Sequence, residues 1–356
     1  MNNMADEVKF SQGAGPELCA SLRELKTEDL IAPTPRCFDT DYDGHAVLSL
    51  ADIIAMVFPN GDVTEKPMIY IRHTDMLKKQ FRFGNLVELG DDFLSPQKGV
   101  YHQDQVGQAG SPISDYREVA DGEYGFEAEN PKAEFRFTKD GYSAKEGNFL
   151  SLTCDKWPLA IIEHESMYAN VSTIIQAATF YGIFDNKPCL AVGEHDRLFI
   201  PTEVHGFDGI TNKFGYFYMN MIGIREDGRK EQALISIGLA DGKNFAYYYI
   251  DGETPILTSN VSMEADWYHL PYVQDGTCIY KDAIFRFAGK EFHFEGKWGT
   301  KGFTPEPRVA KHGQSQIFGT WYEGSTPYQH RLYMTFGENM EAYDYKLQEM
   351  GFNVIE

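Results

Sequence analysis

Alternating apolar and polar positions mark much of the C-terminal half of the chain. Between residues 214 and 258, the runs FGYFYMNMIGI, QALISIGLA, NFAYYYI and TPILTS follow one another, separated by Asp-Gly pairs. Asp-Gly between apolar runs is a strong signal for a β-hairpin, because both residues accept the backbone angles of a tight turn. The region is therefore predicted to be a meander of four strands.

Three other stretches show the same two-residue period around a short turn. They are AIFRFAGKEFHFEGKW (283–298), AEFRFTKDGYSAKEGNFLSLTC (133–154), and the runs STIIQAATFYGIF and PCLAVGEHDRLF on either side of residues 185–187. Period-two alternation places every second side chain on one face of a strand. Each stretch is predicted to form a β-hairpin.

Helical patterns are few. Residues 16–32 carry leucines at roughly helical spacing, and 48–58 is a short apolar candidate for a helix. The C-terminal stretch 341–356 fits either a last strand or a short helix, and we favour a strand. Strands at short spacing without alternating helices indicate sandwiches or barrels rather than an α/β fold. The predicted fold class is all-β, with a short N-terminal helical segment.

The length of the chain indicates two domains. Its 356 residues are about twice a usual domain, and both halves have the same β-rich pattern. We predict an N-terminal arm with a helix over residues 1–35, a first barrel or sandwich over 36–205 and a second over 206–356. The arm, punctuated by Pro33 and Pro35, is expected to pack on a barrel or on a partner subunit, so a homodimer is one expectation.

Composition and charge argue against several classes of partner. A net charge of −21 disfavours nucleic acid and anionic membrane surfaces, because both bind basic proteins. No apolar run reaches the roughly 18 residues of a membrane span. The start MNNMADEVKF lacks the apolar core of a secretory signal. Five scattered cysteines without a CxxC pair indicate reduced thiols and a cytoplasmic location.

Familiar cofactor and metal motifs are incomplete. The stretch DTDYDG from Asp39 begins like an EF-hand loop, but Leu50 stands where the closing glutamate is needed. His164 and Glu165 begin a zinc motif, yet Tyr168 occupies the place of the second histidine. There is no P-loop, no dinucleotide fingerprint and no serine-hydrolase elbow. We therefore predict no cofactor and no metal ion.

Four ionisable residues stand together in NKPCLAVGEHDRLF, residues 186–199, which otherwise reads as a strand. Strand geometry places Glu194 and Asp196 on one face, and His195 and Arg197 on the other. In a barrel one pair points inward, and the sequence leaves open which. An inward Asp196 in an apolar interior would have a raised pKa unless a cation paired with it, and could act as a general acid. The alternative is an ion-pair cluster that fixes the end of the barrel.

The same stretch resembles the central motif of the two-barrel lipocalin-like superfamily. This superfamily contains the carotenoid 1,2-hydratases, the kievitone hydratase-type enzymes and the fungal Diels–Alderases. Its members carry G-x-G-x-x-D, then a polar or basic residue, any residue and Trp, near the middle of a chain of about this length. Gly193 and Asp196 match the motif, Arg197 fills the polar place, and Phe199 stands for the aromatic residue.

The sequence departs from that motif at two further places. Ala191 replaces the first glycine, and Glu194 stands where the hydratases have tyrosine. The missing tyrosine argues against hydration of a carotenoid. Outside the middle of the chain, the resemblance consists of a similar chain length, a similar richness in β-strands and the closing pattern from Gly319 to Tyr345.

The resemblance implies two tandem lipocalin-like antiparallel β-barrels and a bulky apolar ligand, held in the first barrel or between the two. It also implies cofactor-free chemistry: addition or loss of water, cyclisation or isomerisation. Asp196 would be the acid, His164 or His195 its partner, and Tyr168 a hydrogen-bond donor to the substrate. The residues expected to contact the substrate are Glu165, Glu194, Arg197, Phe180 and Phe199.

Three functions are therefore open. The first is a cofactor-independent acid–base enzyme, a hydratase or dehydratase, cyclase or isomerase, acting on a terpenoid, polyketide or aromatic metabolite. The second is a non-catalytic carrier of such a ligand. The third is a metal-dependent hydrolase using His195, His205 and carboxylates, although no metal-ligand spacing supports it. The first two are distinguished by Asp196, which is either a desolvated acid at the barrel wall or an ion-pair partner of Arg197.

Overall fold

The computed structural model describes residues 18–31, 46–96, 99–100, 110–130, 132–164, 172–201, 215–238, 243–300, 314–325 and 330–355. Within them the chain is mostly β-strand, arranged in two curled antiparallel sheets that each form a half-barrel. The all-β fold class predicted from the alternating pattern is confirmed, and so are the two antiparallel barrels that the resemblance implies, each as a half-barrel.

The first sheet holds thirteen strands of the described residues. In chain order they are β1 (Ala20–Glu24), β2 (Ala46–Pro59), β3 (Met68–Asp75), β4 (Gln80–Glu88), β5 (Gly99–Val100), β6 (Arg117–Ala120), β7 (Glu123–Glu129), β8 (Lys132–Phe137), β9 (Gly141–Glu146), β10 (Leu150–Lys156), β11 (Leu159–His164), β12 (Ser172–Phe184) and β13 (Lys187–Pro201). Neighbours in the sheet run β5-β4-β3-β2-β13-β12-β10-β9-β8-β7-β6, and β11 pairs with both β12 and β1. The long strands β2, β13 and β12 therefore lie side by side in the middle of the sheet.

This sheet curls until distant strands face each other. Phe81 on β4 lies 6.3 Å from Phe126 on β7 and 5.9 Å from Phe135 on β8, measured between ring centroids. These strands are far apart in the hydrogen-bonded order, so their rings meet across the interior rather than along the sheet. Every second residue of the strands points into this interior, and apolar residues at these positions form its core. In LSLTCDK of β10, for example, buried and exposed residues alternate.

The second sheet holds ten strands of the described part of the chain. They are β14 (Tyr216–Arg225), β15 (Lys230–Gly238), β16 (Asn244–Ile250), β17 (Ile256–Thr258), β18 (Ser262–His269), β19 (Cys278–Phe287), β20 (Lys290–Thr300), β21 (Ser315–Glu323), β22 (His330–Met340) and β23 (Val354–Ile355). Their order is β17-β16-β15-β14-β22-β21-β20-β19-β18-β23, with β23 parallel to β18. Its core is aromatic, and Trp267 lies 4.9 Å from Phe217 and 5.0 Å from Tyr280 between ring centroids.

The predicted hairpins are confirmed. The 214–258 meander is formed by β14 to β17. The turn between β12 and β13 consists of Asp185 and Asn186, with φ of 46° and 61°, and the turn between β19 and β20 of Ala288 and Gly289, with φ of 50° and 76°. Two successive positive φ angles match the type I′ turn, which suits the twist of the flanking strands.

The helix predictions are wrong. In place of the helix over 16–32, Ala20–Glu24 pairs with β11, and a single 3-10 turn follows at Thr27–Leu30. Residues 48–58, predicted to be a helix, instead belong to strand β2, which pairs with β13 on one side and with β3 on the other. A strand buried on both faces is continuously apolar, so periodicity does not distinguish it from a buried helix.

The C-terminal stretch also differs from the favoured strand. It forms a short helix, α1 (Asp344–Glu349), followed by the two-residue strand β23. Leu347 is the residue of α1 that is buried, and it belongs to the core of the second sheet. Among the described residues, the α-helix therefore lies near the C-terminus and not in the N-terminal segment.

The chain divides into two compact units. One comprises Ala20–Glu88 and Gly99–Thr211, and the other Met1–Cys19, Leu89–Lys98 and Asn212–Glu356. The segment between β4 and β5 therefore belongs to the unit of the second sheet, where Phe93 lies 5.1 Å from Tyr268 between ring centroids. The boundaries predicted at residues 35 and 205 stay predictions.

Candidate functional site

The central strands β2, β12 and β13 position the ionisable cluster found in the sequence. On β13, His195 pairs with Gln176 of β12 and with Ile53 of β2. Ile53, together with Ala191 and Phe199 of β13 itself, belongs to the apolar core inside the first sheet. Because alternate residues of a strand share a face, His195 and Arg197 also point into this interior.

Gly193 allows β13 to approach β2 closely. A Cβ atom on Gly193 would lie 2.1 Å from the carbonyl oxygen of Ile54 and 2.6 Å from the Cα of Ala55. Any side chain at this position would push the two strands apart. The close approach of the two strands thus explains why the central motif has glycine at position 193, two residues before His195.

Glu194 and Asp196 lie on the opposite face of the sheet. Glu194 is completely buried there, and Asp196 is half-buried. Asp196 and His195 therefore do not share the interior of the first sheet, as a directly coupled acid and base would. The catalytic role of Asp196 and the substrate contact of Glu194 stay predictions.

His195 lies in an aromatic and fully buried environment. Its ring stacks on Phe137, with centroids 5.1 Å apart and planes at 26°, and lies 5.7 Å from the ring of Tyr142. Neither ring nitrogen has a hydrogen-bond partner among the described residues. Burial, and then the nearby charges of Arg197 and Lys156, hold the pKa of His195 well below its ordinary value of 6.5. The imidazole is therefore neutral near pH 7.

Arg197 is a buried cation two residues further along the same face. Its Nη2 donates to Oε1 of Gln176 at 3.3 Å, and the Gln176 amide is oriented by donating to the carbonyl oxygen of Trp157 at 2.8 Å. Within the described ranges, Nε and Nη1 of Arg197 have no hydrogen-bond partner. Burial lowers the pKa of Arg197 to about 10, so the group is still charged near pH 7.

Lys156, at the end of β10, adds a buried amine to the same face. It pairs with Ala178, which belongs to the interior core, and its Nζ donates to the carbonyl oxygen of Thr138 at 2.7 Å. Burial, followed by the charge of Arg197, lowers the pKa of Lys156 well below its usual range. His195, Arg197 and Lys156 thus form one group of basic side chains, in which the charge of Arg197 lowers the pKa of the other two, and we call it the basic cluster.

A second polar group on the same interior is internally satisfied. Glu146 on β9 forms an ion pair with Arg72 on β3, whose Nε donates at 3.0 Å, and accepts a 2.5 Å hydrogen bond from the hydroxyl of Tyr70. The guanidinium of Arg72 also lies 4.1 Å above the ring of Phe81. This group ties β3 to β9 across the interior and supplies each charge with an opposite one.

The other predicted site residues divide into two groups. Phe180 and Phe199 are buried in the interior core, on the same side of the sheet as His195. His164 ends β11, with its backbone paired to Ser172, but its side chain is outside the described part of the structure, as are the whole residues Glu165, Tyr168 and His205. Their predicted roles stay predictions.

Lys156, Gln176, Phe137 and Tyr142 were not among the predicted site residues. Alternation alone could have indicated Lys156, because it continues the inward series Leu150, Leu152 and Cys154 of β10. Phe137 and Tyr142 look like ordinary core residues of their strands, and Gln176 is a single polar residue within the apolar run 174–178 of β12. Their proximity to His195 follows from the sheet order, which the sequence does not contain.

In the described ranges, no group of three or more His, Cys, Asp or Glu side chains could hold a metal ion. Among the same residues, no helix is long and apolar enough to cross a membrane.

The fold has partial counterparts among solved structures. It is similar to kievitone hydratase from Nectria haematococca, with 9% identity over 84% of this chain and 90% of that chain and a TM-score of 0.42. It is also similar to CghA with Sch210972, with 13% identity over 91% of this chain and 99% of that chain and a TM-score of 0.40. Kievitone hydratase is of an enzyme type that the central stretch of the sequence resembles. No family profile and no curated protein match the chain.

Proposed function

We propose that this protein is a cofactor-independent acid–base enzyme that acts on a bulky hydrophobic metabolite held inside the first sheet. The proposal is based on the environment of His195. This side chain is a fully buried and neutral imidazole, flanked by two aromatic rings, with both nitrogens unpartnered among the described residues. Buried polar groups are almost always hydrogen-bonded, so an exception beside an aromatic wall points to a bound substrate as the missing partner.

The neutral imidazole is suited to act as a base. One ring nitrogen takes a proton from a carbon or oxygen of the substrate, and the same proton is then returned at another atom, or leaves with a hydroxyl group as water. The charge of Arg197 stabilises the negative oxygen that develops while the proton is on His195. The rings of Phe137 and Tyr142 restrict the conformation of the substrate and keep water away.

The reaction classes in this proposal are hydration or dehydration, isomerisation and cyclisation. Asp196 is a separate candidate for the catalytic acid, because its carboxyl lies on the opposite face of β13 from the basic cluster. If Asp196 is the acid, its reaction site is on that other face, and its loss affects turnover independently of His195.

The proposal is tested in the native host. Strains that produce the wild-type protein, His195→Gln or Asp196→Asn at equal levels are extracted, and their apolar metabolites are compared by mass spectrometry. For an enzyme that uses His195, one compound accumulates and another disappears in the His195→Gln strain. Their mass difference is one water for hydration or dehydration, and zero for isomerisation or cyclisation.

The same comparison separates the remaining roles. If the His195→Gln extract keeps every compound in the wild-type form and Asp196→Asn changes it, catalysis uses the other face of β13. If neither variant changes the chemical form of any metabolite, the protein is a carrier, and the enzyme proposal is rejected.

A further inference from the structure

The charges inside the first sheet do not balance among the described residues. Arg72 is matched by Glu146, which it contacts directly. Arg197 makes its described hydrogen bond to an uncharged amide, Gln176, and Lys156 to a backbone carbonyl. The interior thus contains more cationic than anionic groups.

Neighbouring carboxylates do not supply the missing charge. Asp29 is already held by Arg23, whose Nη1 and Nη2 donate to its two oxygens at 2.5 and 2.6 Å. Asp196 is on the opposite face of β13. Both carboxylates act on Arg197 only through a longer-range attraction. Among the residues described, no carboxylate is within hydrogen-bond distance of Arg197.

An arrangement of this kind is unfavourable for an empty interior. A buried cation without a counter-charge destabilises the fold, and a guanidinium does not readily lose its proton. Two nitrogens of Arg197, Nε and Nη1, also have no hydrogen-bond partner in the described structure. The arrangement becomes favourable when an anion contributes the charge and the acceptor atoms.

We infer that the ligand of this interior carries an anionic oxygen group, such as a carboxylate or an ionised enol, which binds Arg197 beside Lys156 while its apolar body lies against Phe137, Tyr142 and Phe180. Arginine forms strong charge-assisted hydrogen bonds with such oxygens. The three rings supply the apolar wall. The inference rests on the proposed binding site inside the first sheet and narrows its substrate class from hydrophobic molecules to hydrophobic acids.

The inference is tested by calorimetric titration of the purified, delipidated full chain with two probes that differ only at the head group. Decanoate carries a carboxylate, and 1-decanol carries a neutral hydroxyl on the same alkyl chain. We expect the wild-type protein to bind decanoate at least about 10-fold more tightly than 1-decanol, because hydrogen bonds to charged groups contribute more than neutral ones.

Two variants assign that preference to Arg197. In Arg197→Met, an apolar chain of similar length, the two probes should bind with equal affinity. In Arg136→Gln the wild-type preference should persist, because Arg136 lies on the outer face of β8 and donates to Glu127 there. Equal affinity of the two probes in the wild type, or a preference that survives in Arg197→Met, overturns the inference.

Failure of the inference and failure of the proposed enzyme are separable. A protein that prefers decanoate, in a host whose metabolites are unchanged by His195→Gln, is a carrier of hydrophobic acids. A protein that binds both probes equally but changes a metabolite through His195 is an enzyme for a neutral substrate. The wild-type titration alone decides the inference if Arg197→Met does not fold.

Discussion

The imidazole of His195 lies nearly parallel to the ring of Phe137, with centroids 5.1 Å apart. The two residues come from β13 and β8, strands that the sheet order separates by β12, β10 and β9. The contact therefore exists because the sheet curls. It places a titratable ring against an apolar wall, in the interior that also contains Arg197 and Lys156.

This burial makes the stability of the protein depend on pH. The pKa of His195 is lowered on folding, chiefly by burial, so the unfolded chain binds the proton more readily than the folded one. The stabilising contribution is fully present above the unfolded value, near 6.5, and is lost as the pH falls below it. We expect the free energy of unfolding to fall by up to about 1.4 kcal/mol per pH unit in that range from this residue alone.

Urea unfolding at a series of pH values measures this dependence. His195→Phe is the matched variant, because a phenyl ring can take the place of the imidazole against Phe137. The difference in unfolding free energy between wild type and variant should change with pH below 6.5 and be constant above it. A difference that is independent of pH would show that His195 is not a buried neutral group.

Arg72 and Arg197, both buried in the first sheet, should respond differently to the same substitution. Arg72→Met removes the partner of Glu146 and leaves that carboxylate buried, which should cost about 3–5 kcal/mol of unfolding free energy. Arg197→Met removes a cation that no described carboxylate contacts, so the ligand-free protein should be unchanged or up to about 4 kcal/mol more stable. Denaturant unfolding of both variants checks this contrast. A large loss of stability in Arg197→Met would mean that Arg197 holds the fold together.

The close approach of β13 and β2 should make Gly193 intolerant of any side chain. Gly193→Ala would place a methyl group 2.1 Å from the Ile54 carbonyl oxygen and should lower the unfolding free energy by about 1–3 kcal/mol. Gly141→Ala is the control, because its new methyl group would come no closer than 3.2 Å to the carbonyl oxygen of Cys154. Similar thermal unfolding temperatures for the two variants would contradict this explanation of the glycine.

The sequence was informative wherever local chemistry determines structure. Asp185 and Asn186 predicted their turn because these residue types accept positive φ, and the alternation of β10 predicted which residues point inward. It was uninformative where tertiary pairing decides. The run 53–58 of β2 is apolar without interruption because both faces of the strand are covered, so helix and strand could not be distinguished.

The candidate site shows the same division. Alternation predicted that His195 and Arg197 share one face and that Glu194 and Asp196 share the other. Which face lies inside the curl depends on how the thirteen strands are ordered, and no local pattern contains that information. For the same reason Phe137 could not be linked to His195 from the sequence, although both residues lie in clearly predicted strands.

Proton transfer by His195 to and from a hydrophobic substrate is measured with the compound that accumulates in the His195→Gln strain. That compound is incubated with purified wild-type protein or with purified His195→Gln, and the formation of product is followed by mass spectrometry. We expect His195→Gln to form the product about 100-fold or more slowly than the wild type, because this is the usual contribution of a general base. Equal rates for the two proteins would contradict this role of His195.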